Sequence, residues 1–201
     1  MTLLFASNNA HKLDEVRRIL PASVTVVSLR DAGLDIDPEE NGATLEANSL
    51  LKAQAVWDAL LQYPLLKDRI DGVFADDTGL EIAALGGQPG VCTARWAGEA
   101  HNDAANRAKA LRLLQGQHDR TARFRTVITL IMHGRTDRFE GIVNGHIATA
   151  EAGHAGFGYD PLFIPEGYDR TFAQLPPEVK NSISHRARAL AALAAHLIKV
   201  N

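Results

Sequence analysis

The chain has 201 residues, enough to bury one substantial core and too few for two independent domains of ordinary size. Its 21 basic residues against 24 acidic ones leave a net charge of -3, so no global field draws in a polyanion and a nucleic-acid partner is disfavoured. Cys92 is the single cysteine, which excludes an internal disulfide and a thiolate zinc cluster and fits a reducing cytoplasm. Met1 to Ala6 lacks the basic start and long apolar stretch of a signal peptide. No apolar run approaches the roughly 20 residues that cross a bilayer, so a soluble intracellular protein with no membrane partner is expected.

In chain order, Thr2 to Ala6 reads as a buried strand, after which Leu13, Val16 and Leu20 recur at helical spacing until Pro21 closes the helix. Thr44 is the expected N-cap of a second helix, with Glu46 in its first turn, running to about Leu61 before a linker at Tyr63-Pro64. Val73 to Ala75 reads as the end of a buried strand that runs straight into Asp76-Asp77-Thr78-Gly79, and a glycine-rich loop, Gly86 to Gly90, comes after it. Asp103 is the expected cap of a helix reaching Leu114. Phe124 to Met132 and Arg138 to Val143 are β-rich runs joined across His133 to Asp137 as in a hairpin, which makes the sheet mixed. Then come a glycine-rich loop, Gly153 to Asp160, a strand, Leu162 to Ile164, and a last helix from near Ser184 with Leu190, Leu193 and Leu197 on one face. The chain has no internal repeat.

Five segments carry chemistry. Ser7-Asn8-Asn9-Ala10-His11-Lys12 lies where a strand hands over to a helix, so N–H groups and the positive end of the helix dipole converge in one turn. That turn suits a phosphate, and equally a plain helix cap; it is not a P-loop, because the glycines are missing. Asp76 and Asp77 stand at the edge of the sheet, and like charges so close need a cation or hydrogen bonds. A carboxylate pair of this kind suits Mg²⁺, with Glu39 or Glu40 as a further ligand from a second loop or, on the plainer reading, as solvated acids. On the helix from Thr44, Asn48 and Lys52 interrupt a stripe with Leu45, Val56 and Ala59; the lysine either snorkels to water or reaches a phosphate. Gly156-Phe157-Gly158-Tyr159-Asp160-Pro161 offers aromatic faces for a base, or core anchors. Lys180 and Ser184-His185-Arg186 place cations at the start of a helix, against its dipole, and call for an anionic or carbonyl partner.

Three rival motifs fail. Asp77-Thr78-Gly79 matches the signature of aspartic proteases, but those folds are almost wholly β and this chain has at least four strong helical patterns. A haloacid-dehalogenase phosphatase needs its two aspartates separated by one residue, and the histidines include no H-E-x-x-H helix for zinc. A non-catalytic nucleotide sensor and a pyrophosphatase of modified pyrimidines share the phosphate features, and turnover and base preference separate them.

Taken in order, Ser7 to Lys12, Glu39 to Lys52, Phe74 to Gly90, Phe157 to Pro161 and Lys180 to Arg186 resemble the inosine triphosphate pyrophosphatase family, also called dITP/XTP pyrophosphatases. The resemblance implies one α/β domain over residues 1–201, an elongated mixed β-sheet flanked by helices, with two lobes and the active-site cleft between them. It implies Mg²⁺-dependent hydrolysis of ITP, dITP and XTP by a homodimer. Carried onto this sequence, Ser7, Asn8, Asn9, Ala10, His11 and Lys12 form the triphosphate turn, assisted by Lys52. Glu40 and Asp77 are the metal-associated acids, with Asp77 also the proton acceptor and Thr78 beside it touching substrate. Phe157, Gly158, Tyr159 and Asp160 form the base loop, and Lys180, His185 and Arg186 the set at the purine edge. Thr78 stands where the family usually has Ser, and Cys92-Thr93 where it often has Tyr-Ser.

Overall fold

A computed structural model describes residues 1–98 and 102–200 of the chain. Its elements in chain order begin with β1 (Thr2–Phe5), α1 (Ala10–Ile19), β2 (Thr25–Ser28), α2 (Leu45–Leu60), α3 (Pro64–Lys67) and β3 (Gly72–Ile82). They continue with β4 (Pro89–Gly90), α4 (Asp103–Leu113), β5 (Thr121–Met132), β6 (Arg135–Ile147), β7 (Phe163–Pro165), α5 (Pro177–Ile183) and α6 (His185–Val200). The strands form one sheet in the order β2-β1-β3-β5-β6-β7, with β4 paired to β3. It is mixed: β1 runs parallel to β2 and β3, whereas β3–β4 and β6–β7 are antiparallel.

The chain divides into two compact units, Met1–Asp77 with Thr126–Gly141 and Arg186–Asn201, and Thr78–Arg125 with Ile142–His185. In the first unit, alternate residues of a strand feed different cores, as the two-residue period demands. Leu3, Phe5 and Phe74 pack with Val16 of α1 and with Leu190, Leu193 and Leu197 of α6. Leu4, Val73 and Ala75 pack with Ala53, Val56 and Leu60 of α2. The second unit has its own core, in which Leu80, Phe124, Tyr159, Phe163 and Phe172 meet Ala110 and Leu114 of α4.

Several expected boundaries move. β3 continues through Asp76-Asp77-Thr78-Gly79 to Ile82 instead of ending at Ala75; aspartate and glycine disfavour strands, but buried cations compensate the two carboxylates and tertiary contacts override the local preference. Pro64 opens α3, a short helix where a linker was expected, since a proline at the first helical position gives up an N–H that has no partner there. The cap of α4 is Asn102, whose side chain accepts from Ala105 N–H, and Asp103 is the first helical residue. The connection of β5 to β6 is only His133-Gly134, both at positive φ, the geometry of a tight hairpin turn. Thr44 caps α2 as expected, accepting from Ala47 N–H at 3.1 Å.

Candidate active site

In the first unit, the site is organised by strand alternation. Asp76 and Asp77 are neighbours in sequence, yet consecutive side chains on β3 leave opposite faces. Asp76 follows Phe74 onto the face covered by α1 and α6. There it accepts from Lys12 Nζ at 3.0 Å and from Arg186 Nε and Nη2 at 3.1 and 2.9 Å. Arg186 also donates through Nη1 to Glu15 of α1. Lys12 and Arg186 hold the Asp76 carboxyl well below the usual range, against the burial that opposes its charge. Lys12 is itself lowered, because burial and the positive neighbours Lys52 and Arg186 outweigh the attraction of Asp76. The two shifts point opposite ways for one ion pair. The ionised Asp76 is the better supported member, since it collects two cations while Lys12 has two like charges beside it.

Asp77 follows Ala75 onto the α2 face. Asn48, fully buried, donates from Nδ2 to Asp77 Oδ2 at 3.1 Å and accepts Gly42 N–H on Oδ1 at 2.7 Å. These two bonds set the orientation of the amide, since only the NH₂ end can serve a carboxylate acceptor. They also tie the loop carrying Glu40 to the strand carrying Asp77. One helical turn along α2, Lys52 Nζ lies 2.5 Å from Glu40 Oε1 and 3.6 Å from Asp77 Oδ1. Burial raises the Asp77 pKa, with Glu40 adding to the shift and Lys52 and Lys12 opposing it. Burial works against the charge of Lys52, but Asp77, Asp76 and Glu40 together raise its pKa.

Glu40 and Asp77 therefore converge on one positive charge. Two carboxylates from separate elements closing on a single cation are the donor set that a hard divalent ion uses when phosphate oxygens supply the rest of its shell. Among the described residues no group of three His, Cys, Asp or Glu side chains makes a cage by itself. Glu39 is exposed.

The turn before α1 is built as a cap: Asn9 Oδ1 accepts Lys12 N–H at 3.1 Å and Ser7 Oγ accepts Asn9 N–H at 3.3 Å. Asn8 donates to Ile36 O at 2.9 Å. Ala10 and His11 are exposed in the first turn of α1, and Thr78 is half-buried on β3. Capping and phosphate binding draw on the same N–H groups, so the cap leaves the phosphate reading open.

In the second unit, the aromatic loop closes on a buried ion pair. Asp160 Oδ2 accepts from Lys180 Nζ at 2.6 Å and from Phe157 N–H at 2.9 Å. The Lys180 ammonium stands 5.1 Å from the centre of the Phe157 ring, within cation–π range. Gly156 sits at φ +79, and a Cβ there would fall 2.0 Å from Asp160 Oδ2, so only glycine fits. Tyr159 is buried and donates to Thr93 O at 3.1 Å. His185 stacks on Phe124 with ring centres 4.5 Å apart. The structure thus joins Phe157, Asp160 and Lys180 in one group, and gives Arg186 to Asp76 and Glu15.

Sequence reasoning passed over Glu15 and Arg107, and read Asp103 only as a helix cap. Glu15 lies three residues after Lys12 and Arg107 four after Asp103, so each pair shares a helix face, but nothing in a helix pattern says what that face meets.

The profile of the Ham1 family matches residues 3–196. The chain belongs to the Ham1 family. It is 48% identical to the dITP/XTP pyrophosphatase of Porphyromonas gingivalis over 95% of this chain and 94% of that protein. It is 46% identical to the dITP/XTP pyrophosphatase of Flavobacterium johnsoniae over 94% of each. Among solved structures, the Staphylococcus aureus Ham1 protein superposes with a TM-score of 0.86 at 40% identity, covering 100% of both chains. The mixed sheet with flanking helices is thus a Ham1 fold, and the resemblance drawn from the five segments holds along nearly the whole chain.

Proposed function

We propose that this chain is a Mg²⁺-dependent nucleoside triphosphate pyrophosphatase that hydrolyses non-standard purine nucleotides, ITP, dITP and XTP, to the monophosphate and pyrophosphate, keeping them out of DNA and RNA. Membership of the Ham1 family and the names of its relatives support a hydrolase of this class. The observation that carries the chemistry is the Glu40–Lys52–Asp77–Asn48 group, in which two carboxylates from separate elements close on one cation and Asn48 holds the buried Asp77.

In this reading Glu40 and Asp77 hold Mg²⁺, which when bound neutralises phosphate charge and makes the α-phosphorus more electrophilic. Asp77 accepts the proton of the attacking water. Asn48 fixes the carboxylate through Oδ2, so the acid keeps one orientation. Water adds to the α-phosphorus, the bond to the bridging oxygen breaks, and pyrophosphate leaves. Lys12, Lys52, Ser7, Asn8, Asn9 and the first turn of α1 from Ala10 and His11 take up the charge on the leaving group, with Thr78 beside the base. The cations are already paired with Asp76, Glu40 and Asp77, so they are held in place before substrate arrives.

The Phe157–Asp160 loop, with Lys180, His185 and Arg186, reads the base. Hypoxanthine and xanthine accept at the 6-keto oxygen where adenine carries an amino group, and adenine leaves buried donors unpaired at about 1 to 3 kcal/mol each. Arg186 enters this set through the family resemblance, while its guanidinium donates to Asp76 and Glu15. The family resemblance further supports a homodimer, which light scattering of the purified protein tests, and the single cysteine fits a cytoplasmic location.

The decisive experiment is pyrophosphate release from ITP, XTP, ATP, GTP and TTP at mildly alkaline pH, with and without Mg²⁺. Release from ITP and XTP in the presence of Mg²⁺ alone is expected. No release from any of them rejects the reading.

A further inference from the structure

Gly158 lies in the middle of the aromatic loop, in the left-handed region at φ +61. Both polar groups of this residue are taken by one helix face. Its N–H donates to Asp103 Oδ2 at 2.7 Å, and its carbonyl accepts from Arg107 Nη1 at 2.9 Å. Asp103 and Arg107 are one turn apart on α4, so a single rigid element grips a residue from both ends. Arg107 reaches the loop at a second point, with Nε 3.0 Å from Glu151 Oε2 just ahead of Gly153. A further constraint comes from the other direction, through Asp160, whose Oδ2 accepts Phe157 N–H and is itself held by Lys180 Nζ.

The backbone of Gly158 fixes where the preceding Phe157 ring and the following Tyr159 ring can stand. Phe157 is half-buried, whereas Tyr159 is locked by its own bond to Thr93 O. The Phe157 ring has the Lys180 ammonium 5.1 Å from its centre, and its position also follows the backbone that α4 grips. A glycine at positive φ carries no side chain to restrain itself, so the restraint has to come from partners of its peptide groups.

We propose that Asp103 and Arg107 are positioning residues for base recognition: they clamp Gly158 and thereby hold the Phe157 ring where a purine is read. The proposal rests on the reading of Phe157–Asp160 as the base loop. A charged acceptor on the N–H and a charged donor on the carbonyl form bonds stronger than neutral ones, which suits a loop that must not shift when a nearly right base arrives.

The test separates the base from the triphosphate. Calorimetry measures binding of IMP and of inorganic tripolyphosphate to the wild type and to Asp103→Ala, Asp103→Asn, Arg107→Met and Phe157→Ala, and steady-state kinetics with ITP follows. Asp103→Ala and Arg107→Met are expected to weaken IMP and raise KM for ITP by roughly tenfold, with kcat at saturation and tripolyphosphate binding unchanged. Asp103→Asn is expected to restore most of the loss, because its amide oxygen still accepts from Gly158 N–H. Equal weakening of IMP and tripolyphosphate would mean general damage, and no change in IMP would mean no positioning; either overturns the proposal. Loss of IMP binding in Phe157→Ala with none in Asp103→Ala or Arg107→Met overturns the clamp and spares the base loop, whereas unchanged IMP binding in Phe157→Ala overturns both.

Discussion

Replacing Asp76 by Asn removes one charge with almost no change of volume. The carboxylate is 1% exposed and receives Lys12 at 3.0 Å and a two-pronged Arg186 at 2.9 and 3.1 Å. Without it, Arg186 keeps Glu15 but Lys12 loses its carboxylate partner on that face. Breaking a buried ion pair from one side costs about 3 to 5 kcal/mol; the amide retains one acceptor oxygen, so we expect the low end, about 3 kcal/mol. In a chain of this length each kcal/mol moves the melting temperature by about 2 to 4 °C, so Tm should fall by roughly 6 to 12 °C in differential scanning calorimetry near neutral pH. The folded pKa lies below the ordinary 3.8, so the stabilisation is present in full above that value and is lost as pH falls through the folded one. The gap between wild type and variant should accordingly stay constant around neutrality and narrow below about pH 4. A fall in Tm of less than about 2 °C near neutral pH refutes the reasoning, and so does a gap that widens in acid.

Asp77→Asn should abolish turnover while nucleotide binding persists, measured by pyrophosphate release alongside calorimetric titration with ITP; near-normal turnover removes Asp77 as the base. Lys52→Met should lower kcat/KM for ITP by about 100-fold or more, since a charge that stabilises the leaving group is gone; a change below about threefold would assign Lys52 to packing. Gly156→Ala places a Cβ 2.0 Å from Asp160 Oδ2 at a positive φ. It should destabilise the protein by about 1 to 3 kcal/mol, visible as a lower urea midpoint, and an unchanged midpoint would show that the loop yields freely.

Much of the architecture was legible because it rests on local periodicity. The stripe of α2 is the clearest case: Leu45, Asn48, Lys52 and Val56 are buried in the structure and Ala59 is half-buried. Thr44 and Pro21 mark their helix ends as their side-chain chemistry requires. The acidic pair was misplaced because strand propensity weighs aspartate and glycine against β structure, and nothing local reveals three cations waiting for them. Arg107 was passed over, and Asp103 read only as a cap, for a related reason: a polar helix face looks solvated until its partner is known.

The order of chemistry-bearing residues along the chain, and the α/β alternation around them, were determined by the sequence itself, because helix and strand periods and capping residues act over a few positions. Which charge meets which was decided only by the tertiary structure. Asp76 and Asp77 differ by one position, and the pleat sends one to Lys12 and Arg186 and the other to Asn48 and Lys52. Those partners lie 25 to 110 residues away in sequence, and it is the fold that brings such distant charges into contact and buries them.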